Sequence, residues 1–165
     1  MGLDPRESRG YIYGMLGVIT RKAQSVDLEV LAEGFKLTAS EILKALPSTV
    51  HCTYPAGTVV VEEGETGSEV YAVFKGIFSV RYSRWLFFSK EIARLKPGEL
   101  FGEIGLLSPG VRLASVAALK SAEALRLAPA EFKGLLDKNP QLRARVEEQA
   151  LQRIYGLAKA SKDRP

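Results

Sequence analysis

The sequence predicts a mainly β domain with flanking helices, and three observations point there. Between Thr49 and about Leu127, short runs rich in β-branched and aromatic residues are separated by glycine- and proline-containing turns. Outside that region the apolar residues recur at helical spacing instead, before Pro47 and again after Pro129. The chain has 165 residues, 46% apolar and 25% charged, which is one domain's worth and enough to enclose a core. Regularly spaced strands with glycine corners argue for a barrel or a jelly roll.

Taken in order, residues 1–10 are polar and expected to be loose. From Tyr11 to about Leu37 the spacing predicts short helical pieces, with Tyr11, Met15 and Ile19 on one face and Leu28, Leu31 and Phe35 on another. Thr38 and Glu41 are spaced as a capping box, opening a helix that Pro47 ends. Strands are expected at Val50 to Tyr54, Thr58 to Val61, Val70 to Lys75, Ile77 to Ser83, Lys90 to Leu95, Leu113 to Leu119 and Ala122 to Leu127. Gly57, Gly64, Gly67, Gly76 and Gly98 fall between these runs and read as structural turn residues. Pro129 takes the first-turn position of a helix to Leu136, and Asn139-Pro140 starts a longer one to about Lys159. On that last helix Leu142, Val146, Ala150 and Leu157 form the inward stripe. Arg153, eleven residues past Leu142, lies only ~20° from it. Gly156 weakens the helix by roughly 1 kcal/mol relative to alanine.

Trp85-Leu86-Phe87-Phe88 is apolar where a hairpin tip is normally polar. Either these residues extend the strands and are buried, or they form an exposed patch that docks a partner. His51 and Cys52 are neighbours, so on a strand they face opposite ways and cannot share a metal. With one histidine and one cysteine in the chain, zinc sites and Cys–His nucleophiles have no second member. No pair of carboxylates has a context that marks it for acid–base work. The sequence therefore gives no reason to expect an enzyme, a cofactor or a metal.

The stretch Phe101 to Ser115, FGEIGLLSPGVRLAS, carries the chemistry. Gly102 leaves backbone N–H groups bare where a short helical turn, Ile104 to Leu107, begins, and such an end attracts anions. Glu103 sits at the same end as an acceptor for hydroxyls. Ser108-Pro109-Gly110 reverses the chain, and Arg112 follows with a planar donor fork suited to an anionic oxygen pair. A ligand that holds a phosphate beside a ribose would use all three features.

Phe-Gly-Glu, the eight residues between Glu103 and Arg112, and Arg-x-Ala-Ser-Val together resemble the phosphate-binding cassette of the cyclic-nucleotide-binding domain family. The likeness runs from roughly Thr38 to Lys159. It implies an eight-stranded β-roll at about 49–128 with N-terminal helices and C-terminal lid helices at about 129–159. Residues 1–37 would form an N-terminal helical segment, and 38–165 the binding domain. It places Trp85 to Phe88 on the hairpin between the fourth and fifth strands. It implies a 3′,5′-cyclic nucleotide within the roll, with backbone groups of Gly102, Glu103, Ile104, Gly105, Leu113 and Ala114 around the cyclic phosphate. Arg112 would neutralise that phosphate, Glu103 would accept the ribose 2′-hydroxyl, and Val80 and Ala93 would touch the base. Gln149 to Arg153 resembles the channel segment whose arginine contacts the base; the other reading of Arg153 is snorkelling to the helix edge.

Leu113 departs from the family, where the position after the arginine is usually small or hydroxylated and a threonine favours cyclic GMP. Leucine tilts the expectation to cyclic AMP, with cyclic GMP as the alternative ligand. Its bulk also leaves open a degenerate roll that serves as a protein-interaction scaffold. The net charge of +4 suits an anionic ligand but is too mild and dispersed to argue for nucleic acid. The lone Cys52 excludes an intrachain disulfide and suggests a reducing, cytoplasmic setting. Tyr11 to Ile19 is too short and glycine-interrupted for a membrane span. After Lys159 six residues remain, too few for a helix-turn-helix, so the expectation is a sensor or regulatory module that acts on an unidentified protein partner or through self-association.

Overall fold

The computed structural model describes residues 17–85 and 88–162. Among them nine strands form two sheets, with helices packed on the outside of one. β2 (Val50–Tyr54), β4 (Val70–Lys75) and β9 (Ala122–Leu127) form the centre of the first sheet. Its edges are β1 (Ile19–Lys22) and β7 (Leu100–Phe101), in the order β1-β2-β9-β4-β7. The second sheet takes β3 (Val59–Val61), β8 (Ser115–Ala118), β5 (Phe78–Trp85) and β6 (Phe88–Leu95) in the order β3-β8-β5-β6. Every pairing in both sheets is antiparallel.

The period-two alternation of β4 divides the molecule into two cores. Tyr71 and Val73 point between the sheets, where they meet Tyr54, Phe78, Phe101, Val116 and Ala124. Val70 and Ala72 point the other way, against a helical layer. That layer holds a 3-10 turn (Ser25–Leu28), α1 (Glu29–Phe35), α2 (Ala39–Ala45) and α4 (Pro129–Lys138). Leu28, Leu31, Phe35, Ile42, Leu46 and Phe132 from these elements are all buried in it. The expected Thr38–Glu41 box is formed: Thr38 Oγ1 accepts from Glu41 N at 3.2 Å, and Thr38 N donates to Glu41 Oε2 at 2.8 Å. The last helix, α5 (Pro140–Lys162), starts at the proline expected to start it and runs through Gly156 without a break.

Three details differ from the sequence reading. Ile19, assigned above to a helical face, is in strand β1 and 68% exposed, because Val18-Ile19-Thr20 is β-branched and β2 offers it an edge, Ile19 opposite Thr53. Its helical companions Tyr11 and Met15 lie outside the described residues, as do residues 1–10. The two-residue strand β7 is too short to show a pattern and pairs Phe101 with Tyr71. At the hairpin, β5 and β6 do extend to Trp85 and Phe88, yet Phe88 is 74% exposed rather than buried. Leu86, Phe87 and the side chain of Trp85 lie outside the described residues.

His51 and Cys52 face opposite cores, as neighbours on a strand must. Cys52 is buried between the sheets, where burial pushes its thiol pKa up. His51 packs edge-on against Phe74, ring centroids 4.8 Å apart, with Nε2 2.9 Å from Glu123 Oε2. No cluster of three or more potential metal ligands exists among the described residues, and no helix there is long and apolar enough to cross a membrane.

Candidate functional site

A cavity of about 360 Å³ opens between the inner face of the second sheet, the loop from Phe101 to Ala114 and the distal half of α5. That size lies at the lower end of the usual ~300–1,000 Å³ for small-molecule sites. Its floor is apolar, with Val61, Val80 and Val116 contributed by three neighbouring strands. Three charged lining residues, Glu103, Arg112 and Arg153, meet at the start of the short helix α3 (Glu103–Leu107).

The loop is held in place by glycine. Gly102 adopts φ +83°, and a Cβ there would lie 2.5 Å from the Glu69 carbonyl oxygen. A Cβ on Gly105 would lie 2.7 Å from the Gly67 carbonyl oxygen and 2.9 Å from Arg112 Nη1. The first turn of α3 thus rests directly on the Gly67–Glu69 backbone, with the Arg112 guanidinium laid between them. Arg112 Nη1 donates to the Gly102 carbonyl at 3.0 Å, and Nη2 donates to the Glu69 carbonyl at 3.0 Å. The Glu69 carboxylate stands 3.6 Å from the same Nη2. Arg112 is 8% exposed, so its charge is largely withdrawn from water, and the two backbone carbonyls fix the orientation of its donor fork.

Glu103, the first residue of α3, is 1% exposed. Burial pushes its carboxyl above the usual carboxylate range, and the nearby Arg153 and Arg112 charges oppose that shift. Its partner comes from α5: Arg153 Nη1 donates to Glu103 Oε1 and also to the Leu100 carbonyl. Arg153 therefore does not snorkel. It points inward, as the helical spacing predicts, and ends on the buried carboxylate.

All ten residues singled out in the sequence line this one cavity: Gly102, Glu103, Ile104, Gly105, Arg112, Leu113, Ala114, Val80, Ala93 and Arg153. Leu113 is 42% exposed and leaves the cavity open. Of the two residues that seat Arg112, Gly67 reads in the sequence only as a turn residue and Glu69 carries no signal of its own; chain closure brings both to the loop. Gln149 and Gln152 also line the wall. Gln149, four residues before Arg153, shares its side of the helix, a signal the sequence did contain, whereas Gln152 lies ~100° round from it.

The family profile described as "Cyclic nucleotide-binding domain" matches residues 51–139, more than half of the chain. A cyclic nucleotide-gated potassium channel of Mesorhizobium japonicum is 32% identical over 120 residues, which cover 73% of this chain and 31% of the channel. A cyclic AMP receptor protein of Thermus thermophilus is 35% identical over 106 residues, 63% of this chain and 48% of that protein. The chain thus spans less than half the length of these relatives. Among solved structures, a cyclic nucleotide-binding domain from Methylobacillus flagellatus superimposes with a TM-score of 0.70 at 19% identity, covering 93% of this chain and 90% of that one, a likeness of fold.

Proposed function

Because the chain belongs to the cyclic nucleotide-binding domain family, we propose that its cavity binds a 3′,5′-cyclic nucleotide and that α5 reports occupancy to the rest of the protein. The observation that carries this reading is the buried Arg112 in the cavity wall, its guanidinium bonded to the carbonyl of Gly102, the residue before the buried Glu103. In the proposed complex, Arg112 and the backbone of Gly102 to Gly105, Leu113 and Ala114 hold the cyclic phosphate. Glu103 accepts the ribose 2′-hydroxyl, and Val80 and Ala93 contact the base.

Cyclic AMP is the preferred ligand in this reading, since Leu113 offers no hydroxyl to a guanine. Transmission follows from the ion pair already present. A ribose hydroxyl on Glu103 competes with Arg153 for the carboxylate, and the arginine exchanges that partner for the base. Nucleotide then shifts the equilibrium of α5 between two attachments, and a protein that prefers one of them responds. The role is that of a regulatory module; the nucleotide leaves chemically unchanged.

Isothermal titration with cyclic AMP and cyclic GMP tests the proposal. Binding of cyclic AMP is expected, with Arg112→Ala weakening it by at least about 2 kcal/mol, or roughly thirtyfold. Equal affinity in the variant would remove the assigned site. Failure of the unmodified protein to bind either nucleotide would leave the second reading, a degenerate roll acting as an interaction scaffold, which the exposed Phe88 at the hairpin favours.

A further inference from the structure

The hairpin of β5 and β6 reaches past the sheet that carries it. β8 covers β5 only along Phe78 to Arg81. Beyond Arg81 the two strands pair with each other, Tyr82 opposite Lys90, Ser83 opposite Ser89 and Trp85 opposite Phe88. A two-stranded ribbon has no further strand or layer against which to bury side chains, so its end should be polar. This one ends instead on Phe88, which is 74% exposed and belongs to neither core. The sequence joins it to Trp85 through Leu86 and Phe87, both apolar.

Behind that end the ribbon is cationic. Between Phe78 and Leu95, Arg81, Arg84, Lys90 and Arg94 stand against Glu91 alone, so most of the chain's net charge of +4 lies in this hairpin. The carboxylates bonded to it are already engaged. Glu63 Oε2 accepts from Ser83 N at 2.8 Å, and Glu91 accepts from Ser79 Oγ and Arg94 Nε, both at 2.7 Å. Lys90 is exposed and holds no ion pair among the described residues. It stands two residues from Phe88, on the same face of β6, opposite the half-buried Tyr82. Arg81, opposite Glu91, lies on the other face. An apolar end with cations on both faces behind it matches the depth profile of an anionic bilayer, hydrocarbon under a negatively charged headgroup layer. A second copy would instead bring like charge against like, which opposes association.

We propose that the projecting end of the β5–β6 hairpin docks on an anionic lipid surface, with Phe88 entering the interface and Lys90 and Arg81 meeting the headgroups. Such docking rests on no property of the nucleotide cavity, and its test contains no nucleotide.

Co-sedimentation of the full chain with lipid vesicles provides that test. Phosphatidylcholine vesicles containing phosphatidylserine should carry the protein down, pure phosphatidylcholine vesicles much less, and added salt should release it. Trp85 is the chain's single tryptophan, so its emission should shift to the blue on binding and be quenched by lipids brominated in the acyl chain. Phe88→Ser should weaken binding about tenfold. Lys90→Glu should weaken it about fivefold or more. Lys133→Glu makes the same charge change at an exposed position of α4 and should alter binding far less. Circular dichroism melts check that each variant is folded. A chain that stays off the anionic vesicles, or whose Trp85 emission is unchanged by them, would overturn the proposal. So would binding indifferent to Phe88→Ser, or an equal loss in Lys133→Glu, which reports general basicity. A chain that ignores vesicles yet loses a self-associated form in Phe88→Ser would assign the exposed phenylalanine to a second copy instead.

Discussion

Gly102→Ala perturbs the loop at its tightest point, and its cost can be worked out by comparison with a second glycine. Gly102 and Gly57 have nearly the same left-handed backbone, φ +83° and +81°. Placing any L-residue in that region costs about 1–2 kcal/mol. A Cβ on Gly57 meets nothing within 4 Å, so Gly57→Ala should lose about that much and no more. At Gly102 the same Cβ comes within 2.5 Å of the Glu69 carbonyl oxygen and 3.1 Å of Arg112 Nη1. The obstacle is backbone, which cannot rotate away, so relief requires the loop to shift, at a further cost of about 1–3 kcal/mol. Gly102→Ala should therefore be less stable than Gly57→Ala by that second increment. Urea unfolding of the two variants in one buffer gives the difference from the midpoints, provided the slopes agree. The displaced carbonyl is also the one that accepts from Arg112 Nη2, so nucleotide affinity should fall in Gly102→Ala and hold in Gly57→Ala. Equal losses of stability in the two variants would refute the close contact, and with it the account of how Arg112 is seated.

Two further outcomes follow from other parts of the molecule. Asp27 accepts from Arg21 Nη1 and Nη2, both at 2.7 Å, and from Gln24 N at 2.8 Å, and the Arg21 guanidinium holds its carboxyl below the usual carboxylate range. A carboxyl lowered on folding contributes stability that is complete above its ordinary range and is lost as pH falls through its folded value. Asp27→Asn should then lower the urea midpoint at neutral pH, with the gap closing in acid; a gap independent of pH would contradict the pairing. At the cavity, Leu113→Thr supplies one hydroxyl, worth about 1 kcal/mol if it bonds a guanine, and should move the preference toward cyclic GMP about fivefold by titration. An unchanged ratio of affinities would mean that position 113 does not face the base.

The fold was largely legible because its signals are local. Runs such as Val70 to Lys75 alternate between two cores, Pro129 and Pro140 mark helix starts, and Thr38 with Glu41 caps a third helix across a single turn. β1 was misread for the opposite reason: what makes Ile19 a strand residue is the free edge of β2, thirty-odd residues away. Spacing with Tyr11 and Met15 offered a helical face that the partner strand outweighs at Ile19. β7, two residues long, has no periodicity to detect, and it is placed by long-range contacts to β4, among them Tyr71 stacked on Phe101 with ring centroids 4.9 Å apart.

The site divides along the same line. The cassette residues are contiguous, so the chemistry of Gly102, Glu103 and Arg112 could be read from their order. What could not be read is how the cavity meets the cost of a buried charge. A carboxylate as enclosed as Glu103 requires a partner, since an unpaired buried charge costs several kcal/mol. The family resemblance gives Glu103 a ribose hydroxyl as its partner, and leaves Arg153 open to two readings, contact with the base or snorkelling to the helix edge. The structure provides a partner from α5, fifty residues further on, where Arg153 Nη1 donates to Glu103 Oε1, a contact that no motif spells out. This gives α5 a charged attachment as well as the apolar one made by Leu142 and Val146. On the proposed function the distinction matters for signalling. An apolar contact would tighten over any ligand that fills the cavity, whereas an ion pair to the carboxylate yields only to a group that can replace the arginine there. On the proposed reading that group is a ribose hydroxyl, so a nucleotide lacking the 2′-hydroxyl should occupy the cavity without releasing Arg153.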